Sequence, residues 1–161
     1  MKKALIIMLV ITLSVLTSCA GKDEVRQGHS PEQKTENAEE SAEMRSITMM
    51  INDEKVEVTW ENNESVKVLA ELASESPLVI DTSMYGGFEQ VGSIGTTLPN
   101  SDVNITTKPG DIVLYSGSNM VVFYGSNSWS YTRLGQIENL SESELEELLG
   151  SNNVKITLAV E

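Results

Sequence analysis

The chain has 161 residues and a formal net charge of −13, with 24 acidic against 11 basic residues, one histidine and one cysteine. A length of this order favours one domain. The acidic balance repels phosphate backbones and argues against nucleic-acid binding, which depends on clustered lysine and arginine, and a single cysteine excludes an intrachain disulfide framework.

Met1-Lys2-Lys3 is a short basic start, and Ala4 to Leu16 is an almost unbroken apolar run. As a helix that run would reach only about 20 Å, short of a hydrocarbon core of about 30 Å, so residues 1–18 read as a signal segment rather than a membrane span. Leu16-Thr17-Ser18-Cys19 resembles a bacterial lipobox: a branched apolar residue, two small residues, then cysteine. The resemblance implies cleavage before Cys19 and lipidation of its thiol. Two or more acyl chains, palmitate among them, anchor a protein stably where one does not. The expected location is extracytoplasmic, with the lipid on Cys19 held in the cell membrane. Residues 19–45 are rich in Glu, Gln, Ser, Asn and Ala and carry no aromatic residue. Such a segment cannot bury enough surface to offset its ordering entropy, and it reads as a linker. His29 falls here, away from the domain expected over residues 46–161.

Ile47 to Ile51 is a short apolar strand, Asn52-Asp53 are turn residues, and Val56, Val58 and Trp60 alternate as a second strand. Asn62 or Asn63 can cap a helix over about 64–74, whose apolar stripe is Val66, Leu69, Leu72 and Ala73. Pro77 stops it, and Leu78-Val79-Ile80 begins another strand. Glycines at 86, 87, 92 and 95 predict turns, bulges or close backbone approach. Pro109-Gly110-Asp111 turns the chain into Ile112 to Tyr115. After Gly117-Ser118, Met120 to Tyr124 returns, giving a hairpin apolar on both faces, as expected of strands buried in a core or closing a barrel. Trp129 to Ile137 is a further strand with Tyr131 and Arg133 on one face. Ser141 and Glu144 form a capping box before a helix ending at Gly150, and Val154 to Val160 alternates as the last strand. About seven or eight short strands with a helix near each end predict a mainly β fold, a barrel or sandwich.

Three stretches taken together, Gly110-Asp111-Ile112-Val113-Leu114-Tyr115, Val122-Phe123-Tyr124-Gly125-Ser126 and Ser130-Tyr131-Thr132-Arg133-Leu134-Gly135, resemble in order and spacing the bacterial cyclophilin-like fold family of small proteins. The resemblance spans about Ile47 to Val160. It implies a closed barrel of about eight strands capped by two short helices, and it carries little about activity, because fold does not fix function.

Residues 46–161 contain neither histidine nor cysteine. Nucleophilic catalysis that relies on an imidazole base, and zinc sites built from Cys and His, are therefore excluded there. No Asp-x-Asp-x-Asp loop or phosphate-cradling Gly-x-x-x-x-Gly-Lys occurs, and neither a metal nor a cofactor is expected. Arg133 is the only arginine well inside the domain. It either forms a structural ion pair, with Glu89 or Asp111, or binds an anion or carbonyl in a pocket with Tyr124, Trp129 and Tyr131. Tyr85, Phe88, Ser126 and Ser128 would line the same mouth, and core packing is the competing role for each aromatic. No catalytic residue is assigned. The leading expectation is a non-catalytic module that binds a small ligand or an extended peptide and meets the membrane through Cys19. The alternatives are a divergent peptidyl-prolyl isomerase dependent on Arg133 and an accessory subunit of an envelope complex.

Overall fold

The structure, a computed structural model, describes residues 46–160. The expected signal segment, Cys19 and the expected linker lie outside the described residues. Ten strands and two helices follow in order: β1 (Ile47–Ile51), β2 (Glu54–Val56), β3 (Val58–Trp60), α1 (Glu64–Glu75), β4 (Leu78–Tyr85), β5 (Glu89–Ser93), β6 (Val103–Thr106), β7 (Asp111–Tyr115), β8 (Asn119–Phe123), β9 (Ser128–Ile137), α2 (Glu142–Leu149) and β10 (Asn153–Val160).

Nine strands form one antiparallel path, β2-β1-β10-β4-β5-β8-β7-β9-β3, with β6 added on β9. The two ends of the path are consecutive in sequence. Residues 54–60 pair with β1 through Met49↔Val56 and with β9 through Val58↔Ile137, so one bent stretch of chain draws the sheet into a nearly closed barrel. The bend at Glu57 is held from both sides: its N–H donates to Asn139 Oδ1 (2.9 Å) and its carbonyl accepts from Glu138 N–H (2.9 Å). Trp60 Nε1 donates across the seam to the Ile47 carbonyl at 2.9 Å. The count exceeds the eight expected for two reasons. The alternation of Val56, Val58 and Trp60 reads as one strand but serves two pairings, and β6 carries an exposed pattern with no burial period to announce it.

The main core is what alternation predicts. Met49, Ile51, Ile80, Ile112, Leu114, Met120 and Leu134 point inward and are fully buried. Helix α1 adds Val66, Leu69, Ala70 and Ala73; its Asn63 cap accepts from Val66 N–H (3.0 Å) while its amide donates to the Arg133 carbonyl (2.8 Å). Helix α2 adds Leu145 and Leu149 behind a complete Ser141/Glu144 capping box. Its C-terminal end is fastened by Gln90, a fully buried polar side chain whose Nε2 donates to the carbonyls of Leu149 (2.6 Å) and Ser151 (2.7 Å). Thr82 Oγ1 lies 2.9 Å from Gln90 Oε1, which completes the buried group.

Candidate functional site

The β7–β8 hairpin is apolar on both faces because it serves two clusters. Ile112, Leu114, Met120 and Val122 enter the main core. Val113, Val121, Phe123 and Tyr131 form a second cluster on the opposite, outer face of the sheet, with Phe88, Val91 and Ile105 packed against it. Strand register assembles this face: Val91, Val121, Val113 and Arg133 are successive cross-strand partners, and so are Tyr85, Glu89 and Phe123. Strand β6 then sets Ile105 opposite Trp129 and Val103 opposite Tyr131. Ring geometry fixes the aromatic part. Phe88 stacks on Phe123 (centroids 6.5 Å apart, 7°), and Tyr131 meets both Phe123 (5.8 Å, 71°) and Tyr115 (6.0 Å, 66°) edge to face, the arrangements that ring quadrupoles favour.

Beside this cluster lies a cleft of about 440 Å³, within the usual range for small-ligand sites. Its aromatic lining is Tyr85, Tyr115, Trp129 and Tyr131; Val91 and Val121 are aliphatic, and Glu89 and Asn127 supply the polar groups. Tyr85 is 67 % and Trp129 56 % exposed, so two large rings face solvent. Tyr131 is buried, and its hydroxyl accepts from Asn127 Nδ2 at 3.1 Å. Asn127 is itself pinned: its N–H donates to Thr107 Oγ1 (2.9 Å) and its carbonyl accepts from Thr107 N–H (2.8 Å).

Glu89 is the unusual member. It is 5 % exposed, and its Oε2 is buried with no hydrogen-bond partner. Burial pushes its carboxyl up from 4.5 to about 7. Its backbone has little freedom to relieve this. The preceding Phe88 carbonyl accepts from both Tyr124 N–H (3.0 Å) and Gly125 N–H (2.9 Å). Gly125 is required there, since a Cβ would sit 2.6 Å from that of Phe88. Burial also raises the hydroxyls of Tyr124 and Tyr131, to which Glu146 and Glu89 contribute for Tyr124 and Glu89 for Tyr131. Both therefore stay neutral through the neutral range.

Of the residues singled out from sequence, the structure brings Tyr85, Trp129 and Tyr131 together in the cleft. Phe88 supports it from the stack on Phe123. Tyr124 instead packs against the main core. Ser126 Oγ donates to the Thr107 carbonyl (2.6 Å) and Ser128 Oγ pairs with Thr106 Oγ1 (2.8 Å), both holding the turn into β9. Arg133 does not line the cleft; its Nη1 donates to Asp111 Oδ1 at 3.0 Å, the guanidinium side chain 38 % exposed and the carboxylate fully buried. Asp111 Oδ2 also accepts from Lys108 N–H at 3.0 Å. Tyr115, Val91, Val121, Asn127 and Glu89 were not anticipated as lining residues. A signal for Glu89 existed: the Tyr85-Gly86-Gly87-Phe88 turn places it opposite Tyr85, and period two then puts it on the face of Val91. Among the described residues, no three His, Cys, Asp or Glu side chains converge as a metal site would require.

A small antiparallel barrel, plugged by two short helices and bearing an aromatic cleft on its outer face, defines the class of domain. The chain belongs to the cyclophilin-like family, whose model matches residues 49–159. Among solved structures it is similar to that of a hypothetical protein from Archaeoglobus fulgidus, at 16 % identity, with a TM-score of 0.49, covering 71 % of this chain and 93 % of that one. No curated protein matches the chain.

Proposed function

We propose that this cyclophilin-like domain is a non-catalytic binding module for a small ligand or an extended peptide, that its site is the outer-face cleft, and that acyl chains on Cys19 hold it outside the cell membrane. The observation that carries the binding reading is the cleft itself: about 440 Å³, four aromatic rings, two of them largely exposed, around one buried carboxyl. Large rings left open to water cost hydration free energy that a ligand's apolar surface would recover. The isomerase alternative has less to stand on, because Arg133 is engaged by Asp111 and lies away from the cleft.

Two measurements test the reading. Titration of the purified chain with millimolar 2-phenylethanol should shift the backbone amide resonances of Tyr85, Val91 and Val121 and the Trp129 indole, and Trp129→Ala should remove the effect. Shifts elsewhere, or none, would count against the cleft. For the anchor, Cys19→Ala should release the protein from membranes and abolish labelling with a palmitate analogue; stable attachment of the variant would refute lipidation at that thiol.

A further inference from the structure

We propose that the cleft is built for an organic cation, an alkylammonium or guanidinium group carried on an apolar arm, with Glu89 as the anionic anchor and the tyrosine and tryptophan rings as its cage; this deepens the ligand-binding reading above and rests on it.

Three observations converge. First, Glu89 is almost wholly buried yet keeps Oε2 without a partner, in a fold whose other buried polar side chains are hydrogen-bonded. Natural interiors rarely leave such an atom unpaired without a role for it. Glu89 is among the residues lining a cleft large enough for a ligand. Second, the surrounding groups are π faces: Tyr85, Tyr115, Trp129 and Tyr131. Aromatic rings attract cations through their quadrupoles, most strongly when water is excluded. Third, among the described residues no lysine, arginine or histidine lines the cleft, and Arg133, which shares the outer face of β9 with Tyr131, is already paired with Asp111. The site therefore offers one negative group and no internal cation to satisfy it. An anion would meet that carboxyl without a counter-charge, and a purely apolar ligand would leave the orphaned acceptor buried.

The pH dependence follows. A cation binds the ionised carboxylate, and burial holds Glu89 near 7, so affinity should fall about tenfold per pH unit below 7 as the proton competes with the ligand. The other titratable groups lining the cleft with Glu89 are Tyr85 on β4, Tyr115 on β7 and Tyr131 on β9; Glu89 acts on Tyr131 and on Tyr124 after β8, and Glu146 of α2 also acts on Tyr124. Burial raises the hydroxyls of Tyr124 and Tyr131, which stay neutral between pH 5 and 8, and Glu89 carries the pH dependence.

The test compares 2-phenylethylamine with neutral 2-phenylethanol on the full chain, read by amide shifts and Trp129 fluorescence. The amine keeps its own proton from pH 5 to 8. At pH 8 it should bind at least tenfold more tightly than the alcohol, and at pH 5 the two should bind alike. Glu89→Gln should abolish the preference while alcohol binding remains; Glu138→Gln, removing an acid outside the cleft, should change neither. A lysine dipeptide and its Nε-acetyl counterpart separate the sources: tighter binding of the lysine dipeptide than of the amine assigns the cation to a basic peptide, and the reverse order assigns it to a free amine. If Glu89→Gln retains the preference, or the amine and alcohol bind equally at pH 8, the cation inference falls while the cleft stands. If Trp129→Ala also leaves all binding unchanged, the cleft reading falls with it.

Discussion

Replacing Glu89 with glutamine should change the pH dependence of folding even when no ligand is present. In the folded protein the carboxyl holds its proton to about pH 7, against 4.5 in the open chain. Below 4.5 both states are protonated and the residue contributes nothing. Between about 4.5 and 7 the unfolded chain releases the proton while the folded chain keeps it. The unfolded state then binds fewer protons, and stability falls as pH rises. Above 7 both are ionised and the cost is constant. At about 1.4 kcal/mol per pH unit the window amounts to about 3 kcal/mol, a large share of the 5–15 kcal/mol typical of a domain. Glutamine has a similar shape and no proton to release. Urea unfolding of both proteins from pH 4 to 9 isolates the effect, because all other groups cancel in the difference curve. The variant should gain about 3 kcal/mol over wild type between pH 4.5 and 7, with unchanged denaturant sensitivity, and hold that margin to pH 9. A flat difference curve would refute the argument, showing that Glu89 is solvated or paired in solution.

Arg133→Met should destabilise the domain by about 1–3 kcal/mol, since it removes the Nη1 donor from the fully buried Asp111; denaturant unfolding reads this, and binding of 2-phenylethanol should be unchanged because Arg133 is outside the cleft. Gln90→Leu strips the donors from the Leu149 and Ser151 carbonyls and should cost about 2–4 kcal/mol, with hydrogen exchange quickening first at the end of α2.

Much of the fold was legible in the sequence because its signals are local. The period of two in Val154, Ile156, Leu158 and Val160 selects the inner face of β10 without reference to any other strand. The capping box at Ser141 and Glu144 fixes the start of α2 within four residues, and Asn52-Asp53 adopts the left-handed conformation (φ 49° and 70°) that its turn needs. Alternation also put Tyr131 and Arg133 on one face. It could not say that this face is the outer one, or that Arg133 would turn to Asp111 while Tyr131 turned to Asn127.

Composition and motif determined that residues 46–161 lack imidazole and thiol chemistry, that they fold mainly as β structure, and, within a residue, where β1, β7, β8, β9 and β10 begin and end. Tertiary structure alone decided that residues 54–60 close the barrel by pairing in two directions, that β6 lays Ile105 and Val103 beside the second cluster, and that Glu89 comes to lie among cleft rings drawn from β4, β7 and β9. The reason is physical: alternation records which side of its own strand a residue occupies, whereas a cleft between strands depends on the register of partners far apart along the chain.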